Sequence, residues 1–272
     1  MTDASRPDQA VLVRLVEKFS ASTVASVLGH RAKAPALDFV VSLRRSQGLV
    51  APVLAAVDAD ALAAALTQAG QDAIAAPTSL IEELPEPVLV SKADLAGDGF
   101  DLVAGPQNAV ARRYSWGELA ALCAGAVETK TVKTVTEGGS SSDVAKRAMR
   151  LGLTMVTGVP MLGGKTEKKR DIASTDRALT LDMLFVNPTR RLRIVARAFN
   201  FGLLGPQMAH TAEANFSILC KEIAAHAPGA LRGKGMRGVL AGRLGDAFFE
   251  SLADLEGEER WLLNLAVLHA AL

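Results

Sequence analysis

At Val88 the hydrophobic period of this chain changes, and that change constrains the fold more than any other feature. Before it, short runs alternate between strand and helix spacing; after it, apolar residues recur mostly at every second position, the period of a half-buried strand. With 272 residues the chain exceeds one typical domain of roughly 100–150 residues. A two-domain α+β protein is expected, with an α/β module over 10–77, a linker over 78–87, a strand-rich barrel-like domain over 88–246 and a C-terminal helix over 247–272.

In the first part, Val11, Val13 and Leu15 predict a strand running to Phe19, and Ser20 or Ser22 caps a helix through Leu28. Leu37, Val40, Val41 and Leu43 predict a second helix, ending near Gly48. Leu49–Val57 reads as a strand, Asp58 or Asp60 caps a helix over Ala61–Ala69, and Asp72–Ala76 closes the unit as a strand, giving the order βααβαβ. Leu62 and Leu66 are expected in its core. Thr78–Pro87, rich in proline and acidic residues, has linker composition.

The run from Ser46 to Leu54, then Asp58–Gly70, then Ala73–Ala76 resembles the second half of the C-terminal domain of the bacterial ribosomal stalk protein, and the order of all six elements agrees. The resemblance implies that family's fold for 10–77. The family's glycine-rich, lysine-bearing segment for recruiting translational GTPases is here Arg31–Asp38, where Lys33 is the only candidate for that chemistry. The fold is expected to carry over and the ribosomal function is not.

From Val88 the predicted strands or strand pairs are Val88–Val90, Phe100–Val103, Arg113–Val127, Thr131–Val135, Leu179–Val186 and Arg191–Ala198, the last two joined by a turn at Asn187–Arg190. Thr211 caps a helix with Phe216, Leu219, Cys220 and Ile223 on its apolar face. Strands followed by one amphipathic helix, with the stretch Tyr114–Leu122 around a buried Trp116, resemble a pleckstrin-homology-like barrel. The chain as a whole resembles a bacterial family to which no activity is attached. Residues 137–176 interrupt the strands and are expected to be a flexible insertion, opened by Gly138–Ser142 and closed by the charge run Lys165–Arg170.

Catalytic motifs fail on spacing. In Gly158–Thr166 the first glycine of a phosphate-binding loop would have to stand at 159, which is Val159. The four histidines share no ligand spacing, neither Cys123 nor Cys220 has a second cysteine nearby, and no nucleophile elbow is present, so no cofactor or metal is expected. The polar N-terminus and the lack of a long apolar run point to a cytoplasmic protein.

Charge is unevenly placed: residues 1–129 carry −5, 130–197 carry +8 and 198–272 carry −2. Such asymmetry speaks of partners. Lys146, Arg147, Arg150, Lys165, Lys168, Lys169 and Arg170 flank an apolar stretch and form a candidate contact with an anionic membrane surface. Arg190, Arg191, Arg193, Arg197, Arg232, Lys234 and Arg237 form a candidate anion-binding face. No aromatic residues alternate with these basic groups as a base-stacking platform requires, so nucleic acid is not expected as a partner. The resulting expectation is a non-catalytic binding or adaptor protein with a protein partner. An anionic-membrane binder acting through 146–170 is the alternative, and an enzyme with a noncontiguous site comes last.

Overall fold

The computed structural model describes residues 6–104, 108–136 and 169–271. It divides into two compact units, Met1–Glu128 with Arg177–Leu272, and Thr129–Asp176. Helices and sheets are both present, as the α+β class requires. The described part of the second unit consists of the distal ends of two long strands, so Lys169–Asp176 of the expected insertion is strand.

The N-terminal elements are β1 (Gln9–Val13), α1 (Ala21–Ala32), α2 (Leu37–Ser46), β2 (Leu49–Leu54), α3 (Ala56–Gln68) and β3 (Ala73–Pro77), in the expected βααβαβ order. The Ser20 hydroxyl accepts the Thr23 backbone N–H at 3.3 Å and caps α1. Helix α3 begins at Ala56 rather than Ala61. Its alanine-rich start is as good a helix former as its later turns, and Asp58 sits in the first turn, where a carboxylate favours the helix dipole. Strand β1 ends at Val13, and Val16–Lys18 is a 3-10 turn where the alternation had predicted strand. Lying between β2 and β3 and antiparallel to both, β1 has all five residues buried. Leu62 and Leu66 are in the same core.

The strand-rich part runs β4 (Val88–Val90), β5 (Lys92–Leu95), β6 (Gly99–Ala104), β7 (Asn108–Ser115), β8 (Leu119–Thr136), β9 (Lys169–Val186) and β10 (Thr189–Val195). It continues with α4 (Ala212–His226), β11 (Leu231–Arg232), α5 (Lys234–Leu240), β12 (Phe248–Phe249) and α6 (Leu252–Ala271). One sheet has the order β11-β8-β9-β10-β4 and the other β5-β6-β7, and the chain crosses between them at Ser91. Among the described residues no closed barrel is formed.

The larger sheet is covered on both faces. One face carries Leu122, Leu181, Met183, Leu192 and Ile194 into a core closed by Phe216, Leu219 and Ile223 of α4, with Trp116 7% exposed at its margin. The other face carries Ala121, Cys123 and Leu184 into a second core, which also contains the apolar side chains of β1, α3 and α6. Helix α6 is buried on nearly every side, as a helix wedged between two layers must be.

Two glycines permit that wedge. A side chain at Gly48 would overlap the Trp261 ring, which instead packs against the backbone and donates its indole N–H to the Val13 carbonyl at 2.8 Å. A Cβ at Gly257 would lie 1.9 Å from the Arg45 carbonyl of α2. Residues 78–87, of linker composition, lie against the same helix: Asn264 accepts from the Glu82 N–H at 2.7 Å and donates to the Glu82 carbonyl at 3.1 Å. Gly257→Ala should destabilise the protein by roughly 1–3 kcal/mol through overpacking. Gly229→Ala, where the added carbon meets open space, should change denaturant stability by under about 0.5 kcal/mol. Equal effects of the two would contradict the packing described.

Candidate functional site

The hairpin β9–β10 pairs Asp182 with Arg193 and Leu184 with Arg191 across its register, so the polar stripe of each strand lies on one face. That face is the one beneath α6. Arg193 forks onto Asp182 through Nε at 2.8 Å and Nη2 at 2.8 Å, and approaches Glu259 at 3.5 Å. Arg191 lies 2.7 Å from Glu259, 3.2 Å from Glu256 and 3.7 Å from Asp182. Asp182 and Glu259 are fully buried. Burial pushes the Glu259 carboxyl well above its ordinary range, helped by the adjoining Asp182 carboxyl and opposed by the two arginines. Burial alone would weaken the Arg193 charge, but Asp182 and the glutamates outweigh it and hold its pKa raised.

The neighbouring Glu258 turns the other way. Its carboxylate accepts the Lys234 N–H at 2.6 Å at the start of α5, directly over Gly233, where a Cβ would meet it. Burial raises its pKa from 4.5 to about 7 against the pull of that hydrogen bond and of Arg237 and Lys234. Cys123, beneath the same glutamates, is pushed up by burial and then by their charge, and burial likewise raises Cys220. These thiols are core residues.

The seven-residue anion-binding face expected from the sequence is therefore divided. Arg191 and Arg193 are neutralised inside the protein and do not reach an external anion. Arg190 is half-buried on the hairpin, while Arg197 and Lys234 are exposed. Arg232 and Arg237 are the two that the structure brings together, on one cavity of about 540 Å³. Of the expected membrane-contact residues, Lys146, Arg147, Arg150, Lys165 and Lys168 lie outside the described residues, and Lys169 and Arg170 fall in β9.

A concavity of about 700 Å³ opens between the start of β8, the end of α4 and the end of α6. Its wall is Trp116 with His226 stacked upon it, the rings 4.8 Å apart and inclined by 6°. Trp116 is fixed from behind by donating to the Ala96 carbonyl at 2.9 Å. Glu118, Asn187 and His269 add polar groups, and Gly229, Ala230 and Ala270 leave the floor uncluttered. His226 reaches this position because Pro228 stops α4 just beyond it. The sequence places Trp116 in the core and gives the four histidines no ligand spacing, so this pairing escapes it.

Among the described residues no group of three or more histidine, cysteine or acidic side chains is arranged to hold a metal, and no helix is long and apolar enough to cross a membrane. Comparison with known proteins returns no match to a family model, a curated protein or a solved structure.

Removing Arg193 leaves the buried Asp182 carboxylate without its forked hydrogen bonds, so Arg193→Ala should cost roughly 3–5 kcal/mol in denaturant unfolding. Glu258 gives a pH signature. Between its unfolded value of 4.5 and about 7 the folded chain holds a proton that the unfolded chain has lost. Its contribution to stability is therefore complete below pH 4.5 and lost as pH rises through about 7. Wild type should lose about 3 kcal/mol more than Glu258→Gln over that interval, and parallel profiles of the two proteins would refute the assignment.

Proposed function

We propose that this chain is a non-catalytic binding or adaptor protein of the cytoplasm, built from a stalk-protein-like module and a pleckstrin-homology-like strand-rich part, and that the groove at Trp116 and His226 receives a segment of a protein partner. The division of its ionisable groups carries this reading. Among the described residues, the carboxyls and thiols whose protonation the fold shifts, Glu258, Glu259, Cys123 and Cys220, are all buried, and the two carboxyls tie α6 to α5 and to the hairpin. A catalyst instead exposes its shifted groups to a substrate. The groove has the mixed chemistry of a recognition surface: a braced aromatic stack, an apolar floor and polar groups at its rim. Its volume lies within the range of roughly 300–1,000 Å³ typical of binding clefts, yet it is open enough to admit a side-chain-bearing segment.

The test is blockade. Gly229→Arg and Ala270→Arg fill the groove from positions that have room for a side chain or face solvent. Affinity capture from native cell extract should recover with wild type one or more proteins that both blocked variants lose, while the distant control Asp60→Ala retains them. Equal recovery by wild type and both blocked variants would refute the groove as the partner site.

A further inference from the structure

Arg232 and Arg237 differ from Arg191 and Arg193 of the hairpin, because their hydrogen-bond partners are main-chain carbonyls. Arg232 donates from Nη2 to the Ala224 carbonyl at 3.2 Å. Arg237 donates from Nη1 to the Arg232 carbonyl at 2.8 Å and from Nη2 to the Val16 carbonyl at 3.4 Å. Among the described residues neither forms an ion pair, whereas Arg191 and Arg193 touch three and two carboxylates respectively. The carbonyls fix where the guanidinium planes lie but cancel none of their charge. Arg232 Nε is in addition buried without a hydrogen-bond partner, so that side chain has lost water on one edge with incomplete compensation. Glu258 interacts with Arg237 through charge alone, its carboxylate being already engaged at the start of α5.

We propose that the cavity of about 540 Å³ lined by Arg232 and Arg237 is a binding site for the oxyanion end, phosphate or carboxylate, of a small organic ligand. A guanidinium carries five N–H donors in a fixed plane, and these two spend one and two of them on carbonyls, so donors remain for an anion at the cavity face. Two pre-oriented guanidiniums match the paired oxygens of such a group. Leu231 and Leu240 give the cavity apolar walls, and its size exceeds that of a bare ion, which calls for an organic body behind the anionic group. Glu17 also lines it and opposes any anion there, so it sets a limit on the charge accepted. This site goes beyond the partner groove: the two share only the wall of Pro228, Ala230 and Leu231, and either can exist without the other.

Calorimetric titration of the full chain with inorganic phosphate and, separately, with butyrate, at ionic strength matched by chloride, tests the proposal. At least one probe should bind saturably. Phosphate alone would identify a phosphoryl ligand, butyrate alone a carboxylate, and both the oxyanion they share. Arg232→Gln and Arg237→Gln should weaken binding at least tenfold, and Glu17→Gln should tighten it severalfold. Because the arginines also hold backbone carbonyls, Ala241→Asp is the decisive variant: it sets a carboxylate at the exposed rim of the cavity and keeps both guanidiniums and the Ala241 backbone N–H bond to the Arg237 carbonyl. It too should weaken binding at least tenfold. Failure of both probes to bind saturably, or unchanged affinity in Ala241→Asp, would overturn the proposal, and neither result bears on capture of a protein at the Trp116 groove.

Discussion

The structure depends on how one buried face of one sheet is neutralised. Asp182, Arg191 and Arg193 stand on the side of the β9–β10 hairpin away from the strand-rich core, and water is kept from them by α6. Charges removed from water cost far more than their attraction returns unless every one is met, and here Glu259 and Glu256 of α6 complete the set. The same helix delivers Glu258 to α5 and Trp261 to β1. Electrostatics thus specifies which helix covers the sheet and in what register. The apolar contacts of α6, being non-directional, supply the bulk of the attraction without that selectivity.

Such an arrangement is half visible in the sequence. The hairpin was legible, since Leu181, Met183 and Phe185 alternate against Leu192 and Ile194, and all of them are buried as the period implies. The opposite stripe was read as a charged surface. Period-two spacing reports that two faces differ, not what covers the second, and the covering helix is supplied by residues 252–271. Glu258 and Glu259 carry no local mark of burial, because an acidic pair in a helix ordinarily faces water. The six N-terminal elements could be read because each is bounded by punctuation such as Ser20, Pro35 and Gly70, whereas the early start of α3 was masked by an alanine run that is neutral about its own boundary.

The candidate sites obey the same logic. Arg232 and Arg237 stand in one basic cluster of the sequence with Lys234, and only the fold distinguishes them, by turning two toward a shared cavity and leaving the third at the surface. The Trp116–His226 stack joins residues from two elements far apart in the chain. No spacing rule anticipates such a pair. Both sites border the segment from Pro228 to Leu231, where the chain leaves α4 and rejoins the sheet edge, a place where irregular backbone creates concavity between regular elements.

The Trp261 to Val13 hydrogen bond joins residues 248 positions apart. The second core therefore closes only when two distant stretches of chain meet, and the entropy of that closure falls due before the contacts that reward it. A chain so wired should assemble slowly, with β1 and the far face of the larger sheet left sticky until α6 arrives. Conversely, the departure of that one helix would bare an apolar strand and a cluster of charges in the same event. A cell holding this protein would have its exposure to aggregation and proteolysis governed by how often a single helix lifts away, a rate set by the barrier to unfolding rather than by the depth of the native well.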